Sequence, residues 1–206
     1  VGLDHFYDNG ADIIEPNRAA NFVQPMGNYI LNEALADVSV QKMSVSDTWK
    51  DLYRTILNAN VIIDRVTGNE AIGTQATRTD IIADARFIRG LCYWHITNLW
   101  GDAPYYTEVL TLEEISKLGR TDEATIITGT LEDLQFAQDN LQDSYSGDQS
   151  GRASKWAAAI VMAKIYMKQK QWQLGLAKSE EIINQSSHIL LPTYNEVFDQ
   201  FNEYNA

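Results

Sequence analysis

Cysteine occurs once, at Cys92, so no internal disulfide can form and thiol usage says little about redox compartment. Histidine is nearly as scarce. His5, His95 and His188 are scattered, and no HExxH or CxxC spacing exists, which argues against a zinc site. Basic residues are outnumbered, with 16 Lys and Arg against 28 Asp and Glu, for a formal charge of -12. Such a chain lacks the basic patch that nucleic acid requires, and anionic lipid would repel it. Long apolar runs are missing too: the longest, Trp156 to Met167, contains Lys164 and is too short to cross a bilayer. Neither a phosphate-cradling loop nor a serine nucleophile elbow is present. The chain opens at Val1 and reads as a processed or excised piece, so its start says nothing of the parent protein's address.

What is present is an ordinary globular composition: 206 residues, 45% hydrophobic and 21% charged, enough for one large core or two small ones. The most informative stretch is Thr77 to Tyr106. Thr77 with Asp80 reads as a capping box, while Gly101 and Pro104 close the far end. The helix between them spans about 22 residues, or roughly 33 Å. Ile81, Ala85, Ile88, Cys92, Ile96 and Leu99 form its apolar stripe, widened by Ile82, Leu91 and Trp94 into a rod covered on several sides. Asp84, Arg86 and Arg89 interrupt that stripe, and charges so placed are expected to be paired.

Periodicity predicts further helices over about Asp47–Val66, Glu123–Leu141, Lys155–Gln169 and Trp172–Asn184. Residues 1 to about 45 read as an irregular segment with a short helix near Pro25–Val38. Asn60 falls on an inner face and needs partners. The Gln142–Ser150 loop is polar and expected to be mobile, and Ser154 is the expected cap of the helix that follows it. Ala163, Tyr166, Trp172, Gly175 and Ile182 fall at the spacings of a tetratricopeptide repeat, and Gly90, Tyr93 and Ala137 repeat part of that pattern. The physical reading is stacked helical hairpins, each burying a face against the next.

The run Asp84-Ala85-Arg86-Phe87-Ile88-Arg89-Gly90, then Asn98-Leu99-Trp100-Gly101-Asp102-Ala103-Pro104, resembles the EARFLRA and LFGDVP signatures of the SusD/RagB family. Asp84 stands where that family usually has Glu, and Gly90 where it has Ala. Trp49, Leu52, Tyr53, Ile56 and Asn60, then Leu131 to Leu141, and Gly151-Arg152-Ala153-Ser154-Lys155 are similar to three more family segments. The resemblance implies an all-α, tetratricopeptide-like fold over residues 46–206, with the family's C-terminal lobe lying beyond this chain. It implies a non-enzymatic, surface-exposed lipoprotein of the outer membrane that captures an oligosaccharide and delivers it to a TonB-dependent, SusC-like transporter. Contact with the membrane would be only through a lipid anchor upstream of Val1, and no cofactor is implied. The rival reading is a repeat scaffold that binds a peptide or partner protein.

Candidate sites divide accordingly. Sugars present apolar ring faces rimmed by hydroxyls, which aromatic rings, amides and carboxylates together can grip. Phe6, Tyr7, Asp8, Asn9, Asn21, Phe22 and Tyr29 supply that mixture on a loop-like segment and are the expected glycan contacts. Asp8 to Asp12 faintly resembles a calcium loop, but no bidentate Glu follows at its twelfth position. Arg86 and Arg89 are expected to form salt bridges with Asp64 or Asp133, with Gly101 and Arg152 also structural. Cys92 and His95 lie three apart, yet nothing nearby would orient the ring, so packing is the expected role. The five tryptophans are expected at packing positions. Paired catalytic carboxylates have no motif here.

Overall fold

The computed structural model describes residues 45–198. The chain divides into two compact units, Val1–Ile56 and Leu57–Ala206. The first described helix, α1 (Val45–Val66), runs from one into the other. In the first unit it buries Thr48, Leu52 and Ile56, one position per turn. In the second it buries Ala59, Asn60 and Val66. Gly68, at φ +71°, turns the chain out of the helix, as Gly does where a left-handed residue is needed.

The second unit is built on α2 (Gln75–Trp100), 26 residues and so about 39 Å long. Its start differs from the expected one: Thr74, not Thr77, is the N-cap and accepts from the Thr77 amide at 3.1 Å. Asp80 is instead drawn to Arg152. The C-terminus is as expected, with Gly101 at φ +69° and its N–H on Thr97 O. The buried face also differs from the expected stripe. Ala85, Cys92 and Ile96 are buried, but Ile88 is 41% exposed, and Ala83, Phe87 and Tyr93 are buried in addition.

After α2 the chain crosses to α3 (Leu112–Ser116), a single turn closed by a Thr111–Glu114 capping box. Then follow α4 (Glu123–Asn140), capped by Asp122, α5 (Lys155–Lys168) and α6 (Trp172–Gln185). Ser154 stands at the N-cap of α5, but its hydroxyl makes no capping bond. Helix α2 packs on α4, α4 on α5, and α5 on α6. Their shared core holds Ala83, Phe87, Ile127, Leu134, Ala158, Met162 and Ile165.

Small residues set the distances between these helices. A methyl on Gly90 would meet Leu134 Cγ at 3.2 Å, so α2 and α4 approach closely there. Gly175 plays the same part between α6 and α5, where a methyl would meet Met167 Cγ at 3.1 Å. The architecture is all-α, of stacked antiparallel, tetratricopeptide-like hairpins. No described helix is long and apolar enough to cross a membrane.

Candidate functional site

The polar centre of the second unit is Arg89, 4% exposed on α2. Asp133 on α4 takes its fork: Nε donates to Oδ2 at 2.7 Å and Nη2 to Oδ1 at 2.8 Å. Nη1 donates to Asn60 Oδ1 at 2.7 Å and to Thr107 O at 2.9 Å. Asn60 in turn donates to Glu108 O at 3.0 Å, so the buried amide expected to need partners has them on both sides. Burial opposes the Arg89 charge, but the hydrogen bonds and field of Asp133 outweigh it and hold the guanidinium above its ordinary value.

One turn along, Tyr93 Oη donates to Tyr106 O at 2.7 Å and accepts from the Tyr106 amide at 3.0 Å. Tyr93, Arg89 and Asn60 thus fasten residues 106, 107 and 108 from inside. The rest of the connection is tied at its ends. Ala103 and Thr121 form a two-bond antiparallel bridge, and Asp102 Oδ1 accepts from the Glu123 amide at 2.9 Å. The Gly101-Asp102-Ala103-Pro104 segment therefore turns the chain and steadies the start of α4.

Arg152 anchors the other end of α2. Nη2 donates to Asp80 at 2.7 Å, both Nε and Nη2 reach Asp84 Oδ2, and the guanidinium lies over the Tyr145 ring at 4.3 Å. Burial raises the Asp84 carboxyl, and the nearby Asp80 charge adds to it, although Arg152 pulls the other way. The 142–150 loop is held through these contacts and through Trp156 Nε1, which donates to Asp143 Oδ1 at 2.8 Å.

Both helix arginines pair with Asp133, as expected, but unequally. Because Arg89 occupies both oxygens of Asp133, Arg86 Nε stays 3.9 Å from Oδ1, beyond hydrogen-bond reach. Arg86 also stacks on the Phe136 ring at 4.2 Å, and its buried Nε has no hydrogen-bond partner among the described residues. Asp64, the other expected acid, is exposed and pairs with neither. Arg86 borders an open groove of about 570 Å³ between α4 and α5, whose lining includes Leu131, Glu132, Met162 and Tyr166. A second hollow of about 530 Å³ lies by Asn60, Asp64, Thr67 and Glu108.

Cys92 is buried, and that burial pushes its thiol up to about 12, far too high for a nucleophile at neutral pH. His95 lies 4.6 Å from the Trp94 ring; burial, aided by the Lys164 charge, lowers it to about 4. Both act as packing groups. Among the tryptophans, Trp156 is buried at 2%, whereas Trp172 is 57% exposed, contrary to expectation. It stands at the start of α6, and Leu176 and Ile183 on the same side of that helix are exposed too. No described group of His, Cys, Asp and Glu could hold a metal. The expected glycan contacts Phe6, Tyr7, Asp8, Asn9, Asn21, Phe22 and Tyr29 lie outside the described residues.

The described motif residues are thus framework: they lock helices and a connection together. The likeness of the chain to known proteins is extensive. A SusD-like family model, described as starch-binding associating with outer membrane, matches residues 11–167. The chain belongs to the SusD-like family. SusD-like protein P25 of Formosa agariphila is 65% identical over all 206 residues, yet the match covers only 39% of that protein. The starch-binding protein SusD of Bacteroides thetaiotaomicron is 29% identical over 157 residues, 73% of this chain and 26% of that one. Among solved structures, a laminarin-binding SusD-like protein matches with a TM-score of 0.79 at 26% identity, over 89% of this chain and 39% of that chain. Surface glycan-binding protein A of Bacteroides uniformis matches at 0.80 with 20% identity, over 98% of this chain and 44% of its own, a likeness of fold. The chain therefore spans less than half the length of each of these proteins.

Sequence reasoning did not find the Tyr93–Tyr106 clasp, the carbonyls of Thr107 and Glu108, or the Asp80–Arg152 bond. None carries a sequence signal, because each joins residues brought together only by the crossing of helices and loops.

Proposed function

We propose that this chain is the helical-repeat part of a surface-exposed outer-membrane lipoprotein that captures an oligosaccharide and delivers it to a SusC-like, TonB-dependent transporter. The observation that carries the reading is the 65% identity to a SusD-like protein along the whole chain. Solved relatives named for laminarin and for a xylogluco-oligosaccharide support a carbohydrate as the ligand class. The role is binding and not catalysis. Buried Arg89 and Asp133 are consumed in a structural pair, and the one thiol is held protonated.

The N-terminal aromatics and amides, Phe6, Tyr7, Asp8, Asn9, Asn21, Phe22 and Tyr29, supply one part of the sugar site. Residues 1–45 form the irregular segment that carries them, and 46–206 the repeat region. The remaining part of the site lies in a C-terminal lobe of the whole protein. The exposed apolar side of α6, with Trp172, Leu176 and Ile183, supports a further packed element there, since an open repeat end is normally covered. A lipid anchor upstream of Val1 completes the arrangement.

The test is oligosaccharide binding by the full-length protein, with malto-, laminari- and xylogluco-oligosaccharides. Replacing Phe6 and Tyr7 together by Ala is expected to weaken binding by roughly tenfold or more, as lost aromatic stacking would. Affinity purification from native outer membranes is expected to bring down a TonB-dependent barrel. Recovery of soluble partners with no barrel and no sugar binding would favour a peptide-binding scaffold instead.

A further inference from the structure

The two arginines of α2 have opposite situations. Arg89 spends its donors on Asp133, Asn60 and Thr107. Arg86, one-third exposed, makes no hydrogen bond among the described residues, although it borders a groove of about 570 Å³. Its Nε is buried 3.9 Å from Asp133, but the Nη donors of its fixed fork make no internal hydrogen bond, and beside a cavity they are placed to serve an acceptor that comes from outside.

The rest of the groove indicates which acceptor. Its lining combines apolar surface from Leu131 and Met162 with the ring of Tyr166 and the exposed carboxylate of Glu132. Neither the Tyr166 hydroxyl nor Glu132 is used in a side-chain hydrogen bond among the described residues. The surface thus offers unused donors at Arg86, an unused acceptor at Glu132, and a hydroxyl that can do either, around an apolar floor. A hydroxyl-rich neutral ring matches that set, because every hydroxyl both donates and accepts. An anion matches poorly in a chain of charge -12, with Glu132 and Asp139 on the rim. A peptide strand would need a free sheet edge, and the described residues contain no strand. A helix would need a continuous apolar trough, and this floor is narrow and edged by charges.

We propose that the groove between α4 and α5 is a second carbohydrate contact, taking one or two neutral sugar units with Arg86 as donor, Glu132 as acceptor and Tyr166 at the side. It rests on the oligosaccharide reading and adds to it a contact on the repeat region itself. Its volume lies within the range of small-molecule pockets, and it is open to solvent.

The experiment titrates laminari-, malto- and xylogluco-oligosaccharides into full-length protein, reading the Arg86 Nε–Hε and Tyr166 ring resonances by NMR and total binding by calorimetry. The expected result is saturable shifts at both residues with one of these sugars. Glu132→Gln and Tyr166→Phe touch no internal hydrogen bond and keep the fold; each is expected to weaken that saturation roughly fivefold, the worth of one hydrogen bond. The N-terminal binding component is expected to persist in both variants. Sugar binding that leaves Arg86 and Tyr166 unmoved would overturn the groove contact while the oligosaccharide reading stands. Absence of all sugar binding would overturn both. Saturation of the Arg86 signal by a peptide from the transporter, with no sugar effect, would reassign the groove to a polypeptide.

Discussion

The hydroxyl of Tyr105 fills the space where a side chain on Gly129 would begin: a methyl there would lie 1.9 Å from Oη and 2.8 Å from Cζ. Tyr105 also meets the buried ring of Tyr93 edge-on, with centroids 4.8 Å apart. The connection after α2 is therefore packed against α4 through an aromatic ring that only glycine admits.

Gly129→Ala sets two effects against each other. Alanine favours a helix over glycine by about 1 kcal/mol. Displacing the Tyr105 ring is an overpacking change costing about 1–3 kcal/mol. The clash is expected to win, with a net loss of about 1 kcal/mol in urea denaturation. Gly119→Ala, where nothing lies within 4 Å, is the comparison and should stay within about 0.5 kcal/mol of the parent. Equal stability of the two variants would mean that Tyr105 swings aside freely.

Breaking the Arg89–Asp133 pair from one side leaves a charge that is 4% exposed without its partner. Asp133→Ala is expected to cost about 3–5 kcal/mol. The double variant Arg89→Met, Asp133→Leu should recover part of that loss, because no unpaired ion remains. The recovery is incomplete, since Asn60 and Thr107 also lose the Arg89 guanidinium. A double-mutant cycle from denaturation curves reads the coupling.

His95 predicts an acid-side slope in stability. Unfolded, its imidazole takes a proton near 6.5; folded, it does so only near 4. Between those values the unfolded chain holds more protons, so stability falls as pH drops from 6.5 towards 4 and is fully present above 6.5. The ring is only partly shielded, which reduces the effect to on the order of 1 kcal/mol. His95→Gln should flatten this part of a melting-temperature profile recorded from pH 7 to pH 4. An unchanged slope would assign the acid sensitivity to other groups.

Cys92 should be inert in the fold. A buried thiol held up to about 12 exposes almost no thiolate at pH 8. Labelling with a thiol reagent is expected to be at least about a hundredfold slower than in denaturant, limited by local opening. Rapid labelling of the native protein would contradict the burial described for α2.

Much of the helical layout was legible. The spacing of apolar residues predicts four helices, and each is found within two residues of the expected ends: Val45–Val66, Glu123–Asn140, Lys155–Lys168 and Trp172–Gln185. Gly101 closes α2 and Asp122 caps α4 as local chemistry requires. The start of α2 was less legible because Thr74 and Thr77 both offer a cap hydroxyl. The difference comes from Arg152, 72 positions from Asp80, which takes that carboxylate. Trp172 was misplaced for a related reason: helical spacing marks an apolar residue, but only the neighbouring helices decide whether anything covers it.

By itself the sequence determined that this protein is helical, where its helices turn, and which kin its motifs share, since backbone propensity and apolar period act between near neighbours. The tertiary structure decided which of two adjacent-turn arginines is consumed. Residues 86 and 89 are chemically identical and three apart, and only the approach of Asp133 from another helix gives its carboxylate to Arg89 and leaves Arg86 facing a groove. One carboxylate has a single bidentate edge to offer, and which arginine gets it is set by helix crossing.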